Sequence, residues 1–259
     1  SCISPVICHN LDTSHKPLTE LYQAVDKHPK VKKSFIGSGI RHDMLVPEFN
    51  TKADPKELDD YTEEVMTKHV SGRLKVAPEH SSDPVLKLMR KPSFKYFHMF
   101  KDRFDKINIR KKLNLQLIPY FISNHPACEV EDMANLAAET KDMGFQLEQV
   151  QGFTPTPMTV ATVIYYSGYH PYTLKPTRTP KSKHEKEEQH RFFFWYKREN
   201  QAWIRKTLTK VGRQDLLQKL LPTTNSWKKN KGEKVKNTFD DAIPFTSRNK
   251  NKFNKNKKR

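Results

Sequence analysis

Through the first 170 residues the apolar positions follow a repeating plan: a short apolar run, a polar cluster, then a stretch with helical spacing. The first unit runs Val31 to Ile36, then Gly37-Ser38-Gly39-Ile40-Arg41-His42-Asp43. A helix is predicted from Pro55 to His69, with Leu58, Tyr61, Val65 and Met66 on one face. Asp54 suits its N-cap and Pro55 its first turn. The second unit is Arg73 to Ala77, then Pro78-Glu79-His80-Ser81-Ser82, with Asp83 and Pro84 opening a helix in the same way. The third is Leu115 to Ile122, then Ser123-Asn124-His125-Pro126 and a helix from Val130 to Met143, ended by Gly144. The fourth is Leu147 to Val150, then Gln151-Gly152-Phe153-Thr154-Pro155-Thr156-Pro157 and a shorter helix from Met158 to Tyr166. Ahead of all four, Pro17 to Val25 aligns Leu18, Leu21, Tyr22 and Val25 as another helix.

Strands alternating with helices predict an α/β fold with a parallel sheet. In such sheets the working site lies at the carboxyl ends of the strands. The polar clusters sit at those ends. Taken singly, each is explained by a turn and a helix cap. Four in succession, carrying Arg41, Glu79, His80, Asn124, His125 and Gln151, predict one shared mouth. Four strands are too few to close a barrel, so the plan reads as part of a longer one.

After Ser167 the texture changes. Gly168 to Pro180 is rich in proline and aromatic residues and reads as an extended crossing segment. His184 to Leu221 is helical in spacing and stopped by Pro222, a small cap packed on the side of the sheet. Its run Phe192-Phe193-Phe194-Trp195-Tyr196 could stack bases, but such runs are more often core. Three regions follow: 1–167, 168–222 and 223–259.

Composition adds two constraints. The formal net charge is +18, and Asn225 to Arg259 carries twelve Lys or Arg against three acids. That Lys/Asn-rich tail has few groups to bury and is predicted disordered, a weak, salt-dependent and sequence-blind attractor of polyanions. A mean hydropathy of −0.83 and the lack of a long uncharged apolar run exclude a membrane span. Ser1 to Asn10 lacks the basic-then-apolar plan of a signal peptide. Three cysteines are too few for a disulfide scaffold and fit a reducing compartment.

Several unlinked motifs agree in order and spacing with one family. They are Phe35-Ile36-Gly37-Ser38-Gly39-Ile40-Arg41, Ser71-Gly72-Arg73-Leu74-Lys75-Val76-Ala77-Pro78-Glu79-His80, and Leu86-Lys87-Leu88-Met89-Arg90-Lys91-Pro92. Ser123-Asn124-His125-Pro126, Gln149-Val150-Gln151 and Thr154-Pro155-Thr156-Pro157 complete the set, and Cys2 to Asp12 fits a cysteine-bearing insertion. The chain resembles the C-terminal part of the YgiQ-type radical S-adenosylmethionine family from Cys2 to Leu221. The resemblance implies a cytoplasmic iron–sulfur enzyme with a partial (β/α) barrel, of which the last four β/α units are present. It implies a [4Fe–4S] cluster held by a Cys-x3-Cys-x2-Cys motif. With an electron from a reductant, such an enzyme cleaves S-adenosylmethionine to a 5′-deoxyadenosyl radical, which abstracts hydrogen from a substrate; that substrate is unknown.

The chain departs from the family at the cluster. Cys2, Cys8 and Cys128 have the wrong spacing, so the cluster ligands fall outside this sequence and it should generate no radical alone. Cys2 and Cys8 are weak candidates for an auxiliary metal site, and Cys128 reads as an ordinary semi-buried thiol. By the same resemblance, Ser38 and Arg41 stand at the first strand end, with Arg41 paired to the cofactor carboxylate. Lys75 lies along the next strand, with Glu79 and His80 at its end and Glu79 accepting the ribose hydroxyls. Ser123, Asn124 and His125 follow, then Gln151 and Thr154 near adenine or substrate. Glu79 could instead cap the helix near Asp83, and His80 or His125 could be satisfied turn histidines. A different class of function, a nucleic-acid-binding module using the basic tail and aromatic helices, fits the charge.

Overall fold

The computed structural model describes residues 2–147 and 150–222. The expectations for 223–259 lie outside the described residues. By contacts the chain divides into two units, Ser1–Leu221 and Pro222–Arg259.

The first unit is α/β around a three-stranded parallel sheet in sequential order, β1 (Arg73–Glu79), β2 (Gln116–Ser123) and β3 (Val150–Gly152). Leu74 is paired with Leu117 and Ile122 with Gln151. The strands carry the period-two signal of one covered face. Leu74, Val76 and Pro78 of β1 and Leu117, Pro119 and Phe121 of β2 are buried, and the alternate residues Lys75, Ala77, Ile118, Tyr120 and Ile122 are half-buried. The sheet is open at both edges among the described residues.

The first predicted strand is not one. Val31 to Ile36 is irregular, and Phe35 is half exposed. Two backbone contacts tether the segment: Ile36 N–H donates to the His69 carbonyl at 2.9 Å, and Ile40 N–H to the Lys75 carbonyl at 3.0 Å. Ile40 forms a single parallel bridge with Val76. Gly39 explains the close approach, since a Cβ there would stand 3.2 Å from the Lys75 carbonyl oxygen. The segment therefore lies in a strand's place beside β1 without extending its ladder. A partial barrel of four β/α units is more than this open sheet displays.

The helices form where local chemistry dictates. The first, α1, spans Lys16–Asp26. The next, α2 (Pro55–Lys68), is capped by the Asp54 carboxylate, which accepts from Lys56 N–H at 3.0 Å, and it buries Leu58, Tyr61, Val65 and Met66 as its spacing predicts. A third, α3 (Asp83–Leu88), has Ser82 rather than Asp83 at its N-cap. A separate helix, α4 (Lys95–Arg110), buries Phe97, Phe100, Phe104 and Ile107, and these four dominate the covered side. It is divided from α3 by Arg90, at φ 56°, and Pro92, which the sequence reading did not resolve. Then α5 (Val130–Asp142) ends at Gly144, whose φ of 75° suits a residue without a Cβ.

The C-terminal elements are α6 (Val160–Ser167), α7 (Lys183–Arg191), α8 (Arg198–Lys210) and α9 (Gln214–Leu220). A short turn of tighter helix at Phe192–Phe194 puts Phe192 and Phe193 into the common core beside Ile204, Leu208 and Leu216. Phe192 and Phe193 therefore pack as core, while Phe194, Trp195 and Tyr196 are half-buried. Among the described residues no helix is long and apolar enough to cross a membrane.

Candidate functional site

Beyond the carboxyl ends of the strands lies a cavity of about 560 Å³. Each strand contributes to it: Glu79 from the end of β1, Ile122 and His125 from the end of β2, and Gln151, Gly152 and Thr154 from the end of β3. Arg90 and Lys91 close one side, Phe153, Thr156 and Thr159 another. Four of the residues expected from sequence, Glu79, His125, Gln151 and Thr154, thus meet in one place.

The backbone around this cavity is strained. Glu79 (φ 69°), Arg90 (φ 56°), Asn124 (φ 64°) and Met158 (φ 65°) occupy the left-handed region, which favours glycine. Glu79 and Arg90 line the cavity, Asn124 precedes His125, and Met158 lies between Thr156 and Thr159. Such conformations cost about 1–3 kcal/mol each and gather at working sites, where surrounding structure holds them in place.

The polar groups are partly committed. Glu79 Oε1 accepts from Lys91 Nζ at 3.0 Å, and the same ammonium donates to the Ala77 carbonyl at 3.0 Å. Glu79 does not cap α3. His125 is buried; its Nδ1 lies 2.9 Å from the Pro126 carbonyl, so Nδ1–H donates and Nε2 is left as an acceptor. Burial lowers its pKa against that hydrogen bond, keeping the ring neutral near pH 7. Phe153 packs edge-on against it with centroids 5.0 Å apart.

The other expected residues lie elsewhere. Arg41 borders a second cavity of about 350 Å³ with His42, Asp43 and Lys91. Its Nε and Nη2 both donate to Asp43 Oδ2, at 3.1 and 2.7 Å, so its charge is already met. Ser38 is exposed in the loop before it. Lys75 stands on the less covered sheet face, below the mouth. His80 and Ser123 are fully buried behind the strand ends, where they present nothing to a ligand. Asn124 borders a third cavity, on the side of α7.

His80 has a structural partner instead. Its Nδ1 accepts from Ser82 N–H at 3.0 Å, so the neutral ring carries its proton on Nε2, 3.4 Å from Cys128 Sγ. The Cys128 thiol in turn points to the Glu129 carbonyl at 3.7 Å. Burial brings the His80 pKa down to about 4 and pushes the thiol up, so the pair is neutral and unreactive. Cys128 is thus a fully buried thiol, beyond the semi-buried expectation.

Sequence comparison meets this geometry directly. A UPF0313 protein of Porphyromonas gingivalis is 58% identical over 226 residues, covering 87% of this chain and 36% of that protein. This chain belongs to the UPF0313 family. That is the YgiQ-type family of the motifs, of the radical S-adenosylmethionine type. UPF0313 proteins of Bacteroides thetaiotaomicron and Clostridium perfringens are 56% and 39% identical, over 87% and 83% of the chain. The chain spans about a third of the length of these UPF0313 relatives, 36%, 36% and 31%. Residues 148–258 also match a domain of unknown function, DUF3362.

The described part of the UPF0313 chain assembles no cluster of metal-ligating side chains. Among the described residues no group of three or more His, Cys, Asp or Glu could hold a metal ion. Cys2 is exposed, Cys8 partly so, and Cys128 buried with His80, so the thiols are not assembled. The strand-end cavity is instead lined by cationic, hydrogen-bonding and aromatic groups. Arg90 offers a cation, Glu79, Gln151 and the threonines offer hydrogen-bonding groups, and Phe153 offers a flat face, while Lys91 is held by Glu79. Arg90, Lys91, Phe153 and Thr159 were not singled out as site residues. Arg90 and Lys91 lie within the Leu86 to Pro92 motif and Phe153 within the fourth polar cluster, but nothing in the sequence marks Thr159.

Proposed function

We propose that this chain forms the cofactor-facing C-terminal part of an iron–sulfur radical S-adenosylmethionine enzyme with a partial (β/α) barrel. The observation that supports this reading is the meeting of Glu79, His125, Gln151 and Thr154 in one cavity at the carboxyl ends of three parallel strands. The Cys-x3-Cys-x2-Cys motif that would hold the cluster does not occur in this sequence. Bound to such a cluster and given one electron from a reductant, S-adenosylmethionine would supply, with loss of methionine, a carbon radical able to abstract hydrogen. The residues here would bind and orient it. The Glu79 carboxylate, aimed by Lys91, accepts from the ribose hydroxyls. Arg90 meets the ligand carboxylate, taking the part first expected of Arg41. Neutral His125 offers an acceptor and no competing charge to the sulfonium. Phe153 covers one side and excludes water.

The test uses the full-length polypeptide carrying this segment, reconstituted anaerobically. Glu79→Ala should weaken S-adenosylmethionine binding in equilibrium dialysis by about 10- to 100-fold, the worth of a hydrogen bond to a charged group. Iron content should not change. Wild-type affinity in this variant would remove Glu79 from the site, and a stable stoichiometric [4Fe–4S] cluster on the 259-residue chain alone would overturn the reading of its cysteines.

A further inference from the structure

A third cavity, of about 660 Å³, opens beside the mouth between the end of β2 and helix α7. Four cations line it, Lys181, Lys183, Lys186 and Arg191, against one carboxylate, Glu187. Only Lys183 has that carboxylate within ion-pair range, at 3.8 Å. Lys181 Nζ donates to the Tyr166 carbonyl at 3.1 Å and Lys186 Nζ to the Tyr165 hydroxyl at 2.9 Å. Arg191 lies over the Trp203 ring at 5.2 Å. The partners of Lys181, Lys186 and Arg191 are neutral, so these three cations outnumber the one carboxylate of the cavity, which is shared with Lys183. Buried Asn124 also borders the cavity, and its Oδ1 has no hydrogen-bond partner.

A chain of rings joins this cavity to the mouth. His125 meets Phe153 at 5.0 Å, Phe153 meets Tyr165 at 5.7 Å, and Tyr165 meets Tyr166 at 5.2 Å. The outer tyrosines are left in solvent: Tyr166 is 69% exposed, Tyr169 52% and Tyr172 69%. Arg90, from the mouth, stacks on Tyr172 at 5.5 Å.

We propose that this face binds single-stranded nucleic acid, with phosphates in the cationic cavity and unpaired bases against Tyr166, Tyr169 and Tyr172. Cations that follow a backbone beside exposed aromatic faces are the general means of holding single strands without sequence preference. An acidic peptide would engage the lysines but would leave the three exposed tyrosines without a role. None of the residues named here belongs to the basic tail or to the aromatic run of residues 192–196. That the bound strand is the enzyme's substrate rests on the proposed function; that it binds does not.

The experiment uses the full chain without S-adenosylmethionine, so failure of the cofactor reading leaves it untouched. Fluorescence anisotropy follows a labelled oligo(U) or oligo(dT) 12-mer across a salt series. Lys181→Gln with Lys186→Gln should weaken binding and reduce the slope of log affinity against log salt by about 1.4, two single-strand phosphate contacts at about 0.7 each. Tyr166→Ala should cost about 5- to 100-fold through lost stacking, and Tyr166→Phe should cost little. The tail contributes equally to parent and variants and drops out of these differences. Photo-crosslinking of a 5-iodouridine 12-mer should mark Tyr166, Tyr169 or Tyr172. Crosslinks confined to 223–259, or competition by oligoglutamate as strong as by oligo(U), would overturn the proposal.

Discussion

Acidification should destabilise this protein through His80, and the size of the effect follows from where its ring sits. Burial holds its pKa at about 4 against an ordinary 6.5. The hydrogen bonds act in the same direction: a second proton would have to go on Nδ1, which already faces the Ser82 N–H. Between pH 6.5 and 4 the unfolded chain binds a proton that the folded chain refuses, so stability falls as pH falls through that window. At pH 5 the loss is about 2 kcal/mol for this one ring, from a pKa difference at about 1.4 kcal/mol per unit. For a domain of this size that is a drop in Tm of about 4–8 °C. His42 has the same lowered pKa of about 4 and adds to the parent's total. The comparison is therefore between parent and His80→Asn, in which the amide oxygen can accept from Ser82 but cannot titrate. Thermal unfolding at pH 7.5 and pH 5.0 should show the variant less stable at the higher pH, yet losing about 2 kcal/mol less on acidification. Equal losses in the two proteins would refute the argument that His80 is buried neutral.

Two further outcomes are expected from the folded state. Gln189→Ala should destabilise by about 2–4 kcal/mol in urea unfolding, because it strands two buried groups: the Asn124 N–H that donates to Gln189 Oε1 at 2.8 Å and the Cys128 carbonyl that accepts from Nε2 at 2.7 Å. Asp54→Ala should cost about 1 kcal/mol in the same assay through loss of the α2 cap, with Asp54→Ser restoring most of it.

Elements carried by local signals were legible in the sequence. Asp54 and Pro55 open α2, Gly144 closes α5, and the apolar run of β2 lies within a residue of its observed bounds. Val31 to Ile36 has the same apolar texture as a strand, but pairing is a non-local property. Here Gly39 lets the chain approach β1, and Ile40 makes a single bridge to it. The site was half legible for a related reason. Strand ends could be found from the polar clusters, but which side chains turn into the mouth depends on parity, and the ladder slips between Val76 and Glu79. That irregularity, with Glu79 in the left-handed region, leaves Glu79 at the cavity and sends His80 behind it. Arg41 was located at a strand end but not with its neutralising Asp43, two residues on.

Ancestry and physics divide this chain at different places. The DUF3362 match begins at residue 148, two residues before β3, and so takes one strand of the sheet with it. The same stretch carries Gln189, which fastens the loop after β2, and Arg178, whose carbonyl accepts from Ala127 N–H at 2.8 Å. A recombination event at that boundary would leave β2 with an unpaired edge and three backbone groups, the N–H groups of Asn124 and Ala127 and the Cys128 carbonyl, without partners. The segments on either side of it cannot be traded between lineages as independent cassettes. They have to be inherited, and to change, as a pair.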